Sequence, residues 1–206
     1  MKRSPLPLPI VAAAAVVLLA LLGFGYWRSA GSREAAPPAS GAAEPGGRFD
    51  LVATDGRRVT DETFRGQWEL VYFGYTHCPD VCPTTLSAIG AALDRLGRRA
   101  DSVQPLFITV DPMRDTELVL ADYVGHFGGR ILGLTGTPAE IDKVAHEFGV
   151  SITKHRAGDG AQDYSVDHSA ALFVMDPKGR FAGTLGTQDS GAQIARRLAA
   201  LISSTS

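Results

Sequence analysis

Two hydrophobic rhythms divide this chain. Apolar segments at 49–53 and 58–60 flank "TDGR", a turn signal, and together predict a β-hairpin. "WELVYFGY" (68–75) is a continuous apolar run rich in aromatic and β-branched residues, the pattern of a strand buried on both faces. A helix is expected after the loop that follows, with Pro83 at its first position and Gly97 closing it. "VQPLFITV" (103–110) repeats the buried-strand pattern. Residues 116–127 take a helical period that puts Leu118, Val119 and Tyr123 on one face. A short strand at 131–134 leads to a second capped helix. There Thr137 is the N-cap, Pro138 the first position and Glu140 the capping-box partner, and Gly149 ends it. Residues 150–154 and the polar stretch "HRAGDGAQDYSVD" predict an irregular excursion. "AALFVMDPKGRFAGTL" reads as strand, turn, strand, and 190–202 as a last helix.

Strand, helix, strand, helix, hairpin, helix, with parallel crossovers first, predicts an α/β thioredoxin-like fold. Its central mixed sheet is flanked by helices, and it carries an N-terminal hairpin and an inserted strand-helix segment. The loop after the first buried strand then lies at the carboxyl edge of the sheet. The start of the later hairpin, near His168, is brought beside it.

The N-terminal end follows a different rule. Lys2 and Arg3 precede an uncharged, mostly apolar run, 6–27, closed by Tyr26 and Trp27. About 20 such residues span a hydrocarbon core, and the basic flank sets orientation. The expected organisation is a membrane anchor at 1–27, favoured over a cleaved signal peptide, a flexible linker at 28–47 and one folded domain at 48–206. Arg preference, abundant Ala and Gly, and the lack of Asn suggest a GC-rich bacterial genome. A bacterial inner-membrane protein with a periplasmic C-terminal domain is therefore expected. The net charge is −2, with +3 up to Glu34 and −5 beyond it, and no basic stripe, which excludes a nucleic-acid partner.

The chain has two cysteines, Cys78 and Cys82, in "YFGYTHCPDVCPTTL". A bridge closing so short a loop restrains little of the unfolded chain, which argues against a purely structural disulfide. A redox pair is a stronger reading, because a helix N-terminus stabilises a thiolate, and Cys78 would then attack. Three residues between the cysteines, however, depart from the usual dithiol spacing of two. A metal site needs a third ligand. Two thiolates and an imidazole suit Cu(I) and can hold Cu(II). Of His77, His126, His146, His155 and His168, only His168 is delivered to the cysteines by the expected architecture. Asp111 and Asp80 are read as turn and loop residues, and Asp115 or Thr116 as the cap of the next helix.

"GYTHCPDVCPTTL", "TVDPMRDT", "LTGT" and "YSVDHSAALFVMDPKGRF" together resemble the Sco/SenC family of copper-binding, thioredoxin-fold proteins. The resemblance runs from about Phe49 to the C-terminal helix. It implies a copper metallochaperone, bound to a membrane through the N-terminal helix, that assists assembly of the CuA centre in cytochrome c oxidase subunit II. The implied copper ligands are Cys78, Cys82 and His168, with Asp167 supporting the histidine. Further partners would be an upstream copper chaperone or a thiol reductant. Two other functions stay open: a thiol-disulfide reductase that keeps the CuA cysteines reduced, using Cys78 and Cys82, and a redox or copper sensor.

Overall fold

The computed structural model describes residues 44–156, 160, 164–169 and 171–204. The expected anchor and all but the last four residues of the expected linker lie outside them.

A seven-stranded mixed sheet organises the chain. Its strands are β1 (Asp50–Ala53), β2 (Arg58–Thr60), β3 (Trp68–Gly74), β4 (Val103–Thr109), β5 (Leu132–Thr135), β8 (Leu172–Met175) and β9 (Phe181–Leu185), in the order β2-β1-β5-β4-β3-β8-β9. β3, β4 and β5 run parallel, and β1 and β8 lie antiparallel beside β5 and β3. β3 is buried at all seven positions because helices cover both faces. Trp68, Leu70 and Tyr72 meet α1 (Val81–Leu96), α2 (Glu117–Gly125) and α4 (Gly191–Ser204) on one face. Val71 and Phe73 meet α3 (Pro138–Glu147) on the other.

The N-terminal hairpin and the capped helix form as expected. Thr137 Oγ1 accepts from the Glu140 amide while the Glu140 carboxylate takes the Thr137 amide at 2.7 Å. Four expectations are corrected. α1 starts at Val81, so Pro83 is its third residue; the first four helical amides have no partner within the helix, and proline costs nothing there. In α2 the buried face is Leu120 and Val124, and Leu118 and Val119 are exposed. Residues 118–121 are an unbroken apolar run, so the period there does not choose a face. The expected excursion is instead an antiparallel hairpin, β6 (Ile152–Arg156) and β7 (Tyr164–His168), forming a separate two-stranded sheet. Finally, the end of the expected linker is seated on the domain. The Gly46 amide donates to the Glu147 carbonyl at 3.0 Å, and Gly46, at φ +112°, packs where a Cβ would strike the Met175 side chain.

Candidate metal centre

β3 ends at Gly74, and the chain turns through residues 75–80 into α1. The Cys78 amide donates to the Tyr75 carbonyl at 3.2 Å, which closes this turn. Asp115 fixes its start. The fully buried Asp115 carboxylate accepts from the Thr76 amide (3.0 Å), the Thr76 hydroxyl (2.6 Å) and the Thr109 hydroxyl (2.6 Å). Thr116 alone caps α2, through the Val119 amide. Asp115, expected as a possible cap, instead ties the cysteine loop to the end of β4.

Both thiols are free. Cys78 is partly exposed, and its Sγ accepts from the Cys82 amide at 3.4 Å, in the first turn of α1. Cys82 is fully buried, and the Tyr72 hydroxyl donates to its Sγ at 3.4 Å. Burial pushes the Cys82 thiol up to about 12, against the lowering effect of the Tyr72 bond. The two sulfurs are thus chemically unlike: one at the surface beside helix amides, one sealed in the core.

His168 lies at the end of β7, half-buried, with its ring 6.5 Å from that of Tyr72 and 6.4 Å from that of Tyr75. These are the two tyrosines that contact Cys82 and Cys78. Burial holds the imidazole below its usual range, opposed by its bond to the Ser169 carbonyl at 3.3 Å. Among the described residues, no group of three His, Cys, Asp or Glu side chains is yet arranged to hold a metal ion. The hairpin places the histidine beside the tyrosines that contact the two thiols.

The remaining expected positions fall elsewhere. Asp167 acts on His168 through its charge, which raises the imidazole pKa against burial, and makes its own ion pair elsewhere. Successive residues of β7 face opposite ways, and the Asp167 carboxylate pairs with His155 Nε2 at 3.0 Å on the outer face of the hairpin. His77, His126 and His146 are exposed. Asp111 is more than a turn residue. It is fully buried, accepts from Tyr164 Oη (2.6 Å) and Lys154 Nζ (3.2 Å), and pairs with Arg114. Although burial alone would raise its pKa, these partners hold it below the usual carboxylate range. The alternation Tyr-Ser-Val-Asp-His at 164–168 was the signal for this second strand and its inward face.

Gly74 marks how tightly the sulfur is packed. A Cβ there would lie 2.6 Å from Phe107 Cε2 and 2.9 Å from Cys82 Sγ. Gly74→Ala should cost about 1–3 kcal/mol through overpacking. It should also displace Cys82, slowing its alkylation or speeding it relative to wild type. Urea unfolding with thiol-reaction kinetics checks this, and unchanged values in both would count against tight packing.

The SCO1/SenC family model matches residues 37–203. The chain is 42% identical over 150 residues to the Arabidopsis thaliana protein "SCO1 homolog 1, mitochondrial", covering 72% of this chain and 44% of that protein. It is 39% identical over 156 residues to the Homo sapiens "SCO1 homolog, mitochondrial", covering 75% and 52%. The chain thus spans about half the length of these relatives. Bradyrhizobium japonicum ScoI, solved with copper bound, superimposes with a TM-score of 0.71 at 41% identity, over 76% of this chain and 99% of that one. Yeast Sco1 with copper bound gives 0.73 at 35% identity, over 79% and 90%. These relatives correct the expected bacterial inner-membrane, periplasmic location. The Arabidopsis and human proteins are mitochondrial by name. Among the described residues, which leave out the expected anchor, no helix is long and apolar enough to cross a membrane. The bacterial part of that expectation leaned on bulk composition, which carries no compartment signal. Two unlike cysteines at a helix start, a histidine beside them and this sheet order agree with the family match: the chain belongs to the SCO1/SenC family.

Proposed function

We propose that this protein is a copper metallochaperone that binds Cu(I), and can hold Cu(II), through Cys78, Cys82 and His168, and delivers it to the CuA centre of cytochrome c oxidase subunit II. The observation that carries this reading is the convergence on Tyr72 and Tyr75. Tyr72 Oη bonds Cys82 Sγ, the Tyr75 carbonyl bonds the Cys78 amide, and both rings flank His168. Two soft sulfurs and one borderline nitrogen suit a low-coordinate monovalent copper ion. Three protein ligands leave a position for an incoming thiolate or thioether of the acceptor, so the ion passes by ligand exchange. The relatives solved with copper bound support the choice of metal.

The chain's own residues do the preparatory work. Cys82 is held in place by burial and by the Tyr72 hydroxyl, and must give up its proton when the metal enters. Cys78, at the surface, is the first sulfur an arriving ion meets. His168 closes the set from the other sheet.

Removing a group that only supports a ligand costs about 10–100-fold in metal affinity, so His168→Ala should cost at least about 100-fold. A Cu(I) titration of the reduced full chain against a chromophoric chelator measures this. Affinity equal to wild type would remove His168 from the ligand set.

A second reading, thiol-disulfide reduction of the acceptor's cysteines, is favoured by the unequal exposure of the two thiols. An accessible attacker beside a buried resolving thiol is the arrangement such exchange uses. In that case His168→Ala would leave reduction of an oxidised acceptor peptide intact, while either cysteine variant would abolish it.

A further inference from the structure

We infer that Asp111, together with Arg114, positions the copper-binding histidine by gripping Tyr164; this rests on the ligand set proposed above. The hairpin that carries His168 has no backbone ladder to the seven-stranded sheet. A lone two-stranded hairpin is marginally stable in water, so side-chain contacts must set its orientation. The inward face of β6–β7 follows from the register. Tyr164, Val166 and His168 alternate along β7 and stand opposite Arg156, Lys154 and Ile152. Val166 is buried against the sheet's second core.

Both strands are pinned to one carboxylate. Asp111 Oδ1 takes the Tyr164 hydroxyl at 2.6 Å from β7 and the Lys154 ammonium at 3.2 Å from β6. The Arg114 guanidinium pairs with Asp111, lies 3.8 Å from the Tyr164 ring centroid and donates to the Tyr164 carbonyl at 3.0 Å. It also reaches to 5.8 Å from the ring of Tyr75, which flanks His168. Asp111 is fully buried and the Arg114 side chain is only 8% exposed, so neither charge can be left without the other. The grip is thus both strong and directional. It fixes the end of β7 four residues from His168, on the same face, and together with the bond between Tyr75 and the Val166 backbone it holds the imidazole beside Tyr72 and Tyr75. The other end is held by the Ser151 amide, which donates to Ser169 Oγ at 2.9 Å, and by the Ser169 amide on the Ser151 carbonyl at 3.2 Å. Those bonds join β6 to β7 and do not orient the pair against the sheet.

The experiment is a Cu(I) competition titration of the full chain in four forms: wild type, Tyr164→Phe, His168→Ala and the double variant. Tyr164→Phe keeps the ring under the guanidinium and removes only the hydroxyl. It should weaken Cu(I) binding about 10-fold, the effect of losing a group that orients a ligand. The double variant should bind no more weakly than His168→Ala alone. X-ray absorption of the Cu(I)-loaded Tyr164→Phe protein should show reduced outer-shell scattering from imidazole. Asp111→Asn should act in the same direction, with thermal unfolding reporting whether it folds. Wild-type affinity in Tyr164→Phe, or an equal loss in both backgrounds, overturns the inference while leaving the ligand set standing. Wild-type affinity in His168→Ala overturns the ligand set itself, and the positioning role with it.

Discussion

Cys82→Ser should abolish tight copper binding while the protein stays folded. The serine hydroxyl fits the fully buried position and keeps a partner in Tyr72 Oη. What disappears is one of the two soft donors. A hydroxyl is a hard, poorly acidic ligand, and Cu(I) prefers thiolate by a wide margin. The loss should exceed that of His168→Ala, hence more than about 100-fold. Copper-to-protein ratio after gel filtration, together with a chelator titration, measures it. Circular dichroism shows whether the fold persists. A folded Cys82→Ser protein retaining one equivalent of copper at wild-type affinity would place the metal elsewhere.

The second large effect concerns a residue far from the sulfurs. Glu69 sits in β3, 3% exposed, with its carboxyl pushed up to about 7. Burial is the main cause, Asp61 and Asp176 add to it, and Arg65 opposes it. The folded state therefore keeps a proton that the unfolded chain releases near 4.5. Glu69 favours the folded state most below pH 4.5, and that contribution declines as pH rises to about 7. The gap corresponds to about 3 kcal/mol. Glu69→Gln, which stays neutral, should be about 3 kcal/mol more stable than wild type at pH 8 and nearly equal to it at pH 4. Denaturant unfolding of both proteins at the two pH values tests this. A difference that is the same at both would mean that Glu69 does not titrate in this window.

Glu69 also shows where reading the chain by pattern stops. "WELVYFGY" was legible as a buried strand because six of its eight residues are large apolar or aromatic, but pattern alone did not single out its one carboxylate as buried and protonated. Local signals did well where the physics is local. The Thr137–Glu140 capping box, the "TDGR" turn and the strand runs are each settled by neighbours a few residues apart. The approach of His168 to the cysteine loop followed from sheet topology and needed no exact register. The Asp111 turn and the Thr116 cap form as expected, but the side-chain roles of Asp111 and Asp115 were missed for the opposite reason. Asp-Pro and Asp-Thr are ordinary turn and cap sequences, and their actual partners lie far away in sequence: Tyr164 and Lys154 for one, Thr76 for the other. Asp167 reaches His168 only through its charge, because adjacency along a strand puts the two side chains on opposite faces and its carboxylate pairs with His155.

The seating of Gly46 on Glu147 and Met175 has a consequence for how the sulfurs are presented. Met175 is paired with Glu69, at the beginning of β3, whereas Cys78 and Cys82 follow its end. A strand of seven residues measures about 20 Å. The chain thus joins this domain at one pole and offers its thiols at the other. A partner approaching the sulfur pole meets the cysteine loop and the histidine hairpin, a strand's length from the Gly46 seat.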